Sequence, residues 1–111
     1  HRMPDGLLSK LEPFKEAVKN IIGTAYVCMI VFGSYARGDY HNDSDLDILV
    51  LVDVEPEKLS SYSNAVYDLA YDYGEELGIE INPVIQSKSV YEYWRQVYPF
   101  YINIDREGIT I

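Results

Sequence analysis

Two apolar segments of equal length constrain the fold of this chain more than any other feature. Tyr26–Phe32 is apolar throughout, and Leu46–Val52 is apolar at every position except Asp47. Seven residues are too few for a helical core but suit a strand buried inside a sheet. We therefore predict two central β-strands, one on each side of the polar segment 33–45.

Helical periodicity precedes and follows this pair of strands. Apolar residues recur at helical spacing from Leu7 to Ile22, and Gly23 is placed to end that helix. Pro13 interrupts the pattern, so we expect either a kink there or a helix that begins near Pro13. A second, long helix is predicted from Glu55–Pro56 to Leu77.

The last third of the chain predicts shorter elements. Ile79–Ile85 is the candidate third strand, with Glu80, Asn82 and Val84 on one face. Ser89 and Glu92 have the spacing of a capping box for a helix through Trp94. A final helix is expected over Pro99–Glu107, before a short strand at Ile109–Ile111. The predicted class is α+β, a small mixed β-sheet with helices packed mainly on one face.

The first strand ends at a turn suited to phosphate. Gly33 allows a ligand to approach the backbone closely, and Ser34 can cap a short helix while offering its hydroxyl. Backbone N–H groups at the start of a helix attract anions. Arg37, one helical turn later, adds a guanidinium group that matches phosphate oxygens. Gly33, Ser34 and Arg37 are therefore the candidate nucleotide-binding residues.

Two acids open the second strand. Asp45 and Asp47 are two residues apart, so their carboxylates share one face of a strand with Cα atoms about 6.6 Å apart. Like charges held this close repel, and a cation between them relieves the repulsion. Hard oxygen ligands suit Mg²⁺, and a pair of such ions can stabilise a phosphoryl displacement. Asp45 and Asp47 are thus the candidate metal ligands.

Together the turn and the acids resemble a known signature. Gly33-Ser34, ten further residues, and Asp45-x-Asp47 resemble the pattern of minimal nucleotidyltransferases (MNT type) of the DNA polymerase β superfamily. The resemblance implies a polymerase β-like nucleotidyltransferase fold. It further implies that Gly33 and Ser34 hold the triphosphate of an NTP, with ATP as the expected substrate, and that Asp45 and Asp47 bind two Mg²⁺ ions. An acceptor hydroxyl would then attack the α-phosphorus, releasing pyrophosphate.

A third carboxylate of that family aligns here with an asparagine. Asn82 cannot take a proton and is a poorer metal ligand than a carboxylate. Either Glu80, two residues earlier on the same face, serves as the third catalytic acid, or the chain lacks it. Because a general base contributes about 10²- to 10⁴-fold, its loss should slow transfer without abolishing it.

Composition bounds the cellular setting and the partners. The 111 residues predict a single domain over positions 1–111. We find no apolar run near 18 residues and no signal peptide, so we expect a cytoplasmic protein without membrane contact. A net charge of -9 opposes binding to nucleic acid. With no second domain to present an acceptor, we expect the acceptor to be a separate molecule.

Two functions of different class remain. In the family that the chain resembles, such proteins pair with small helical HEPN-domain toxins, and some transfer AMP to a tyrosine of the toxin. The first interpretation is therefore a protein adenylyltransferase acting as antitoxin. The second is a nucleotide-binding module that sequesters its partner, which Asn82 and a candidate aromatic interface at Tyr67 and Tyr71 favour. That interface also allows a homo-oligomer. Transfer to a small molecule is a weaker third option.

Overall fold

A computed structural model describes residues 3–111 of the chain. The helices are α1 (Leu7–Ile22), α2 (Ser34–Arg37), α3 (Ser60–Leu77), α4 (Lys88–Trp94) and α5 (Pro99–Glu107), and the strands are β1 (Tyr26–Phe32), β2 (Leu46–Val52), β3 (Ile81–Ser87) and β4 (Ile109–Thr110). Short 3₁₀ turns follow α1 and precede α3. The predicted α+β class is confirmed, and both central strands have the predicted bounds.

The four strands form one mixed sheet in the order β3-β2-β1-β4. β1 runs antiparallel to β2 and to β4, whereas β2 and β3 are parallel. Asp47 on β2 therefore lies between Phe32 on β1 and Asn82 on β3. This register brings the end of β1 and the beginnings of β2 and β3 to the same edge of the sheet.

Two cores of unequal size flank the sheet. The larger joins the sheet to α1, α2 and α3, and Phe14 at its centre packs edge-on against Tyr73 with ring centroids 5.9 Å apart. The smaller joins the other face to α4 and α5 through Leu49, Leu51, Tyr91 and Ile104. The two long helices thus share one face, as expected, and two shorter helices cover part of the other.

Some predicted boundaries were wrong for local reasons. α1 begins at Leu7 and runs through Pro13, so the alternative start near Pro13 is excluded. α3 begins at Ser60, because Pro56–Lys58 forms a separate 3₁₀ turn. Ser87, and not Ser89, caps α4: its hydroxyl accepts a hydrogen bond from the Val90 amide at 3.3 Å.

The third strand begins two residues later than predicted. Gly78 ends α3 in a left-handed conformation, and the Ile79 amide still donates to the Gly74 carbonyl at 3.1 Å. Ile79 therefore completes the end of the helix. Pairing with β2 starts at Ile81, opposite Leu46, which leaves Glu80 ahead of the strand.

Candidate functional site

The turn after β1 depends on the backbone of Gly33. This residue has φ 75° and ψ -153°, a region essentially restricted to glycine. Its carbonyl accepts hydrogen bonds from the amides of Ala36 and Arg37, which makes it the N-cap of α2. The expectation that Ser34 caps this helix was wrong, because Ser34 is the first residue of α2.

α2 is fixed by one buried side and exposes the other. Tyr35 and Ala36 are buried in the larger core, and Tyr35 stacks on Tyr40 with ring centroids 4.7 Å apart. Burial, with a smaller contribution from Tyr40, raises the pKa of Tyr35 and keeps its phenol neutral. Ser34 and Arg37 are left on the accessible side, and the Ser34 amide, in the first turn, has no acceptor within the helix.

The loop between the turn and β2 closes on itself. The His41 amide donates to the Ser44 hydroxyl at 2.9 Å, and the Ser44 amide donates to the His41 carbonyl at 3.0 Å. The Asp43 amide donates to Nδ1 of His41 at 3.2 Å. These hydrogen bonds form a compact turn that ends at Asp45, directly before β2.

Both acids of the signature line one cavity with the turn. The cavity has a volume of about 510 Å³, and its walls include Gly33, Ser34, Arg37, Asp45 and Asp47. Asp45 is exposed and immediately precedes β2, whereas Asp47 is half-buried within it. The structure thus brings together all five of these candidate residues. We call this space the acid-pair cavity.

Asp47 contacts the turn on one side and β3 on the other. A Cβ atom added to Gly33 would overlap Oδ2 of Asp47, so the glycine is what lets the carboxylate lie against the turn. Oδ1 of Asp47 accepts a hydrogen bond from the side-chain amide of Asn82 at 3.0 Å. The position where the resemblance places a third acid is therefore occupied by a neutral amide, which donates a hydrogen bond to the candidate metal ligand Asp47.

Glu80 lies elsewhere. It is exposed, and it lines a different cavity, between the end of α3 and the start of β3, together with Tyr67, Tyr71 and Glu75. Its backbone carbonyl, by contrast, accepts a hydrogen bond from the Leu46 amide at 2.8 Å. The structure therefore does not bring the Glu80 side chain to the acid-pair cavity, and its catalytic role stays a prediction.

Arg37 is held by two acids at the rim. Its Nε lies 3.3 Å from Oδ2 of Asp39, and its Nη1 lies 3.7 Å from Oε1 of Glu107. All three side chains are largely exposed, so these ion pairs contribute little stability. An anionic ligand in the cavity can exchange with them at small cost.

Sequence reasoning missed one wall of the cavity. Phe32 and the α5 residues Phe100, Asn103, Ile104 and Glu107 line it as well. Phe32 ends β1 directly before Gly33. The four α5 residues reach the cavity only because α5 docks against the sheet, and no local motif marks them. His41 and Ser44, in the loop before β2, complete the lining.

Gly33→Ala should destabilise the fold more than the same change at Gly23. Gly23 has a closely similar backbone, φ 73° and ψ -142°, but nothing lies within 4 Å of an added Cβ. Each variant should lose about 1–3 kcal/mol to backbone strain. Gly33→Ala should lose more, because its methyl group overlaps the Asp47 carboxylate.

Urea unfolding of the two variants and the parent chain measures this difference. Equal losses for Gly33→Ala and Gly23→Ala would show that Asp47 moves aside freely, and that the turn does not constrain the acid.

Three kinds of comparison relate the chain to known proteins. Among curated relatives are two proteins of Methanocaldococcus jannaschii, each named "Putative protein adenylyltransferase". MJ0141 is 32% identical over 84 residues, covering 76% of this chain and 83% of that protein. MJ0604 is 32% identical over 99 residues, covering 88% and 90%.

Solved structures show the same fold. A toxin–antitoxin crystal structure with AMP-PNP aligns with a TM-score of 0.56 at 19% identity, over 89% of this chain and 70% of the other. A mutant of the toxin–antitoxin MntA-HpeT aligns with the same TM-score at 17% identity, over 91% and 70%. At these identities the similarity concerns the fold alone.

A family model matches most of the chain. The model described as "Nucleotidyltransferase domain" covers residues 11–102, which include the turn, both acids of the cavity, and Asn82. The resemblance found in the sequence is thereby confirmed, and the chain belongs to the nucleotidyltransferase domain family.

Proposed function

We propose that this chain is a magnesium-dependent nucleotidyltransferase that moves AMP from ATP to a hydroxyl group of a partner protein. The observation that carries the proposal is the meeting of Gly33, Ser34, Asp45 and Asp47 in one cavity. The Methanocaldococcus relatives, each named "Putative protein adenylyltransferase", support AMP as the transferred group and a protein as the acceptor.

The donor set at the cavity fits Mg²⁺. Asp45 and Asp47 offer carboxylate oxygens, and Asp45 is open to solvent. Residues 3–111 contain no group of three or more His, Cys, Asp or Glu side chains placed to hold a metal. A pair of carboxylates that supplies only part of a coordination sphere suits Mg²⁺, which keeps water and takes further ligands from phosphates. Two such ions, when bound, would neutralise charge that develops on the phosphate oxygens.

The chain's own residues bind and orient the triphosphate. Gly33 begins the turn and leaves space beside it for the Asp47 carboxylate, and Ser34 offers its amide and hydroxyl to the phosphate oxygens. Arg37 exchanges its contacts with Asp39 and Glu107 for phosphate oxygens. The acceptor oxygen then bonds to the α-phosphorus as the bond to the bridging oxygen breaks, and pyrophosphate leaves. The hydroxyl proton passes to Glu80 if that residue serves as the third acid, and otherwise to water.

A transferase needs a group that accepts the proton of the attacking hydroxyl, whereas a module that only binds does not. Asn82 cannot receive this proton, because an amide is not a base at neutral pH, and its Nδ2 already donates to Asp47. The hydrogen bond favours a second candidate, a module that binds nucleotide and partner with weak or no transfer. In both versions we propose that the partner is a HEPN-domain toxin and that residues 1–111 form one domain.

The setting of the proposed reaction follows from composition and from the fold neighbours. Both of the solved structures described above are toxin–antitoxin proteins, which supports a toxin as the partner. The net charge of -9 disfavours a polynucleotide acceptor. Within residues 3–111 no helix has both the length and the apolarity to cross a bilayer. We propose that the protein is located in the cytoplasm, the compartment that contains ATP and Mg²⁺.

Labelled ATP tests the transfer directly. The protein is incubated with Mg²⁺ and the protein encoded by a neighbouring gene, using ATP labelled at the α-phosphate in one sample and at the γ-phosphate in the other. We expect label on the partner from α-labelled ATP only. Label from the γ-position would indicate phosphorylation. Neutralisation of the partner with no label from either position would favour the binding module.

The same assay tests Glu80. If Glu80 is the third acid, Glu80→Gln should lower the labelling rate by about 10²-fold or more. If the acid is absent, the rate should stay within about twofold of the parent. Glu75→Gln, in the same second cavity, is the matched control for a lost charge.

A further inference from the structure

The α5 wall of the acid-pair cavity differs in chemistry from the rest. Gly33, Ser34, Arg37 and the two acids supply charged and polar groups suited to phosphates and their counterions. α5 adds an aromatic ring at Phe100 and a neutral amide at Asn103, and its one acid in the lining, Glu107, is paired with Arg37. At about 510 Å³ the cavity lies within the range of sites that hold a whole small ligand, so it has room beyond the triphosphate.

We propose that Phe100 and Asn103 form the base-binding wall of this cavity and select adenine over guanine. The assignment rests on the proposed function, since it places a nucleoside triphosphate with its phosphates at the Gly33 turn. It assigns residues to the nucleobase, whereas the Gly33 turn and the two acids contact only the phosphates and their metal ions in the proposed function.

Phe100 is a ring with an open surface and a fixed orientation. It is 42% exposed. Phe32 and Tyr101 both pack against it edge to face, with centroid distances of 5.6 and 5.1 Å and interplanar angles of 86° and 77°. Two such contacts hold the plane of the ring. An oriented aromatic ring beside a polar site is a common means of stacking a nucleobase.

Asn103 follows Phe100 by three residues on α5, so both side chains lie on the same side of that helix. Its exposed amide offers one donor and one acceptor side by side. The edge of adenine at N6 and N7 offers the complementary pair, whereas guanine offers two acceptors at O6 and N7, which Arg or Lys reads.

The described lining of the cavity contains one such cation, Arg37, and it stands at the phosphate turn between Asp39 and Glu107. No second Arg or Lys of that lining is placed to read guanine, so the wall favours adenine.

Binding measurements on the full chain separate the base from the phosphates. ATP, GTP and inorganic tripolyphosphate are each titrated calorimetrically with Mg²⁺. Phe100→Ala should weaken ATP binding about tenfold or more and leave tripolyphosphate unchanged, while Phe100→Tyr should keep the ATP affinity. Asn103→Ala should lower the preference for ATP over GTP by about tenfold. Tyr93→Ala and Asn64→Ala, at positions outside the cavity, are controls.

The outcomes distinguish this assignment from the proposed transfer. Unchanged ATP affinity in Phe100→Ala, or an unchanged ratio of ATP to GTP in Asn103→Ala, overturns the base wall even where AMP transfer occurs. The expected losses in a chain that transfers no AMP support the base wall and refute the transfer. A parent chain that binds neither ATP nor tripolyphosphate overturns both. Circular dichroism of each variant confirms that the fold is retained.

Discussion

Asp47→Asn is expected to lower AMP transfer at least about 10³-fold without unfolding the protein. The substitution keeps the size of the side chain and removes its charge, and with it one of the two proposed ligands of Mg²⁺. Stabilisation of about 4 kcal/mol in the transition state corresponds to this factor. Asp45→Asn should act in the same direction, because both acids line the cavity.

The contact with Asn82 makes Asp47→Asn a clean test. The new side chain keeps an oxygen that can accept the hydrogen bond from Nδ2 of Asn82, now 3.0 Å from Oδ1. We therefore expect the free energy of unfolding to change by less than about 1 kcal/mol. The rate is measured by label from α-labelled ATP, and stability by urea unfolding.

Asp43→Asn is the matched control for the acid pair. Asp43 lies in the loop directly before Asp45, is exposed, and is outside the cavity lining. AMP transfer by Asp43→Asn should therefore stay within about twofold of the parent rate. Label retained in Asp47→Asn would refute the catalytic role of the acid pair. Loss of label together with intact neutralisation of the partner would show that antitoxin action requires contact alone.

Asn82→Asp is expected to raise the transfer rate by about 10²- to 10⁴-fold. The change puts a carboxylate beside Asp47, where the resemblance places the third acid of the family and where the parent has only an amide donor. A base in this position can take the acceptor proton, and general bases contribute a factor of this size. The rate is measured with α-labelled ATP.

The same variant should make stability depend on Mg²⁺. The introduced carboxylate and that of Asp47 repel each other without a cation, so the unfolding temperature should fall below that of the parent. Added Mg²⁺ should restore it, because a ligand that binds only the folded state stabilises that state. Asn42→Asp adds the same charge in the exposed loop, outside the cavity, and should show neither effect. A variant without rate gain and without Mg²⁺ response would mean that position 82 is not the third-acid site.

How far the sequence predicted this fold varies from element to element. β1 and β2 have the predicted bounds. The apolar run of β1 ends where Gly33 follows it, and that of β2 begins directly after Asp45, so a strong local signal marks each boundary. β3 was misplaced by two residues. Its start is set by the left-handed end of α3 at Gly78 and by pairing with Leu46, and the pairing is a contact between distant parts of the chain.

The same difference explains why the Glu80 side chain lies apart from Asn82. An alternation count along the chain put Glu80 on the face of Asn82, since it assumed that the strand already included Ile79. In the structure Glu80 precedes the strand and lines the second cavity. Periodicity describes a strand only within its paired residues, and it cannot say where the pairing starts.

The Gly33 turn and the acid pair could be identified from the sequence alone. They are local patterns whose backbone and charge requirements are met within a few residues, and they were sufficient to identify the family. The tertiary structure decided the rest of the site: the contact between Asn82 and Asp47, the position of the Glu80 side chain in the second cavity, and the wall that α5 supplies. These depend on strand register and on the docking of a helix that is remote from Asp47 in the chain. Such long-range packing leaves no periodic trace in the residues that it brings together.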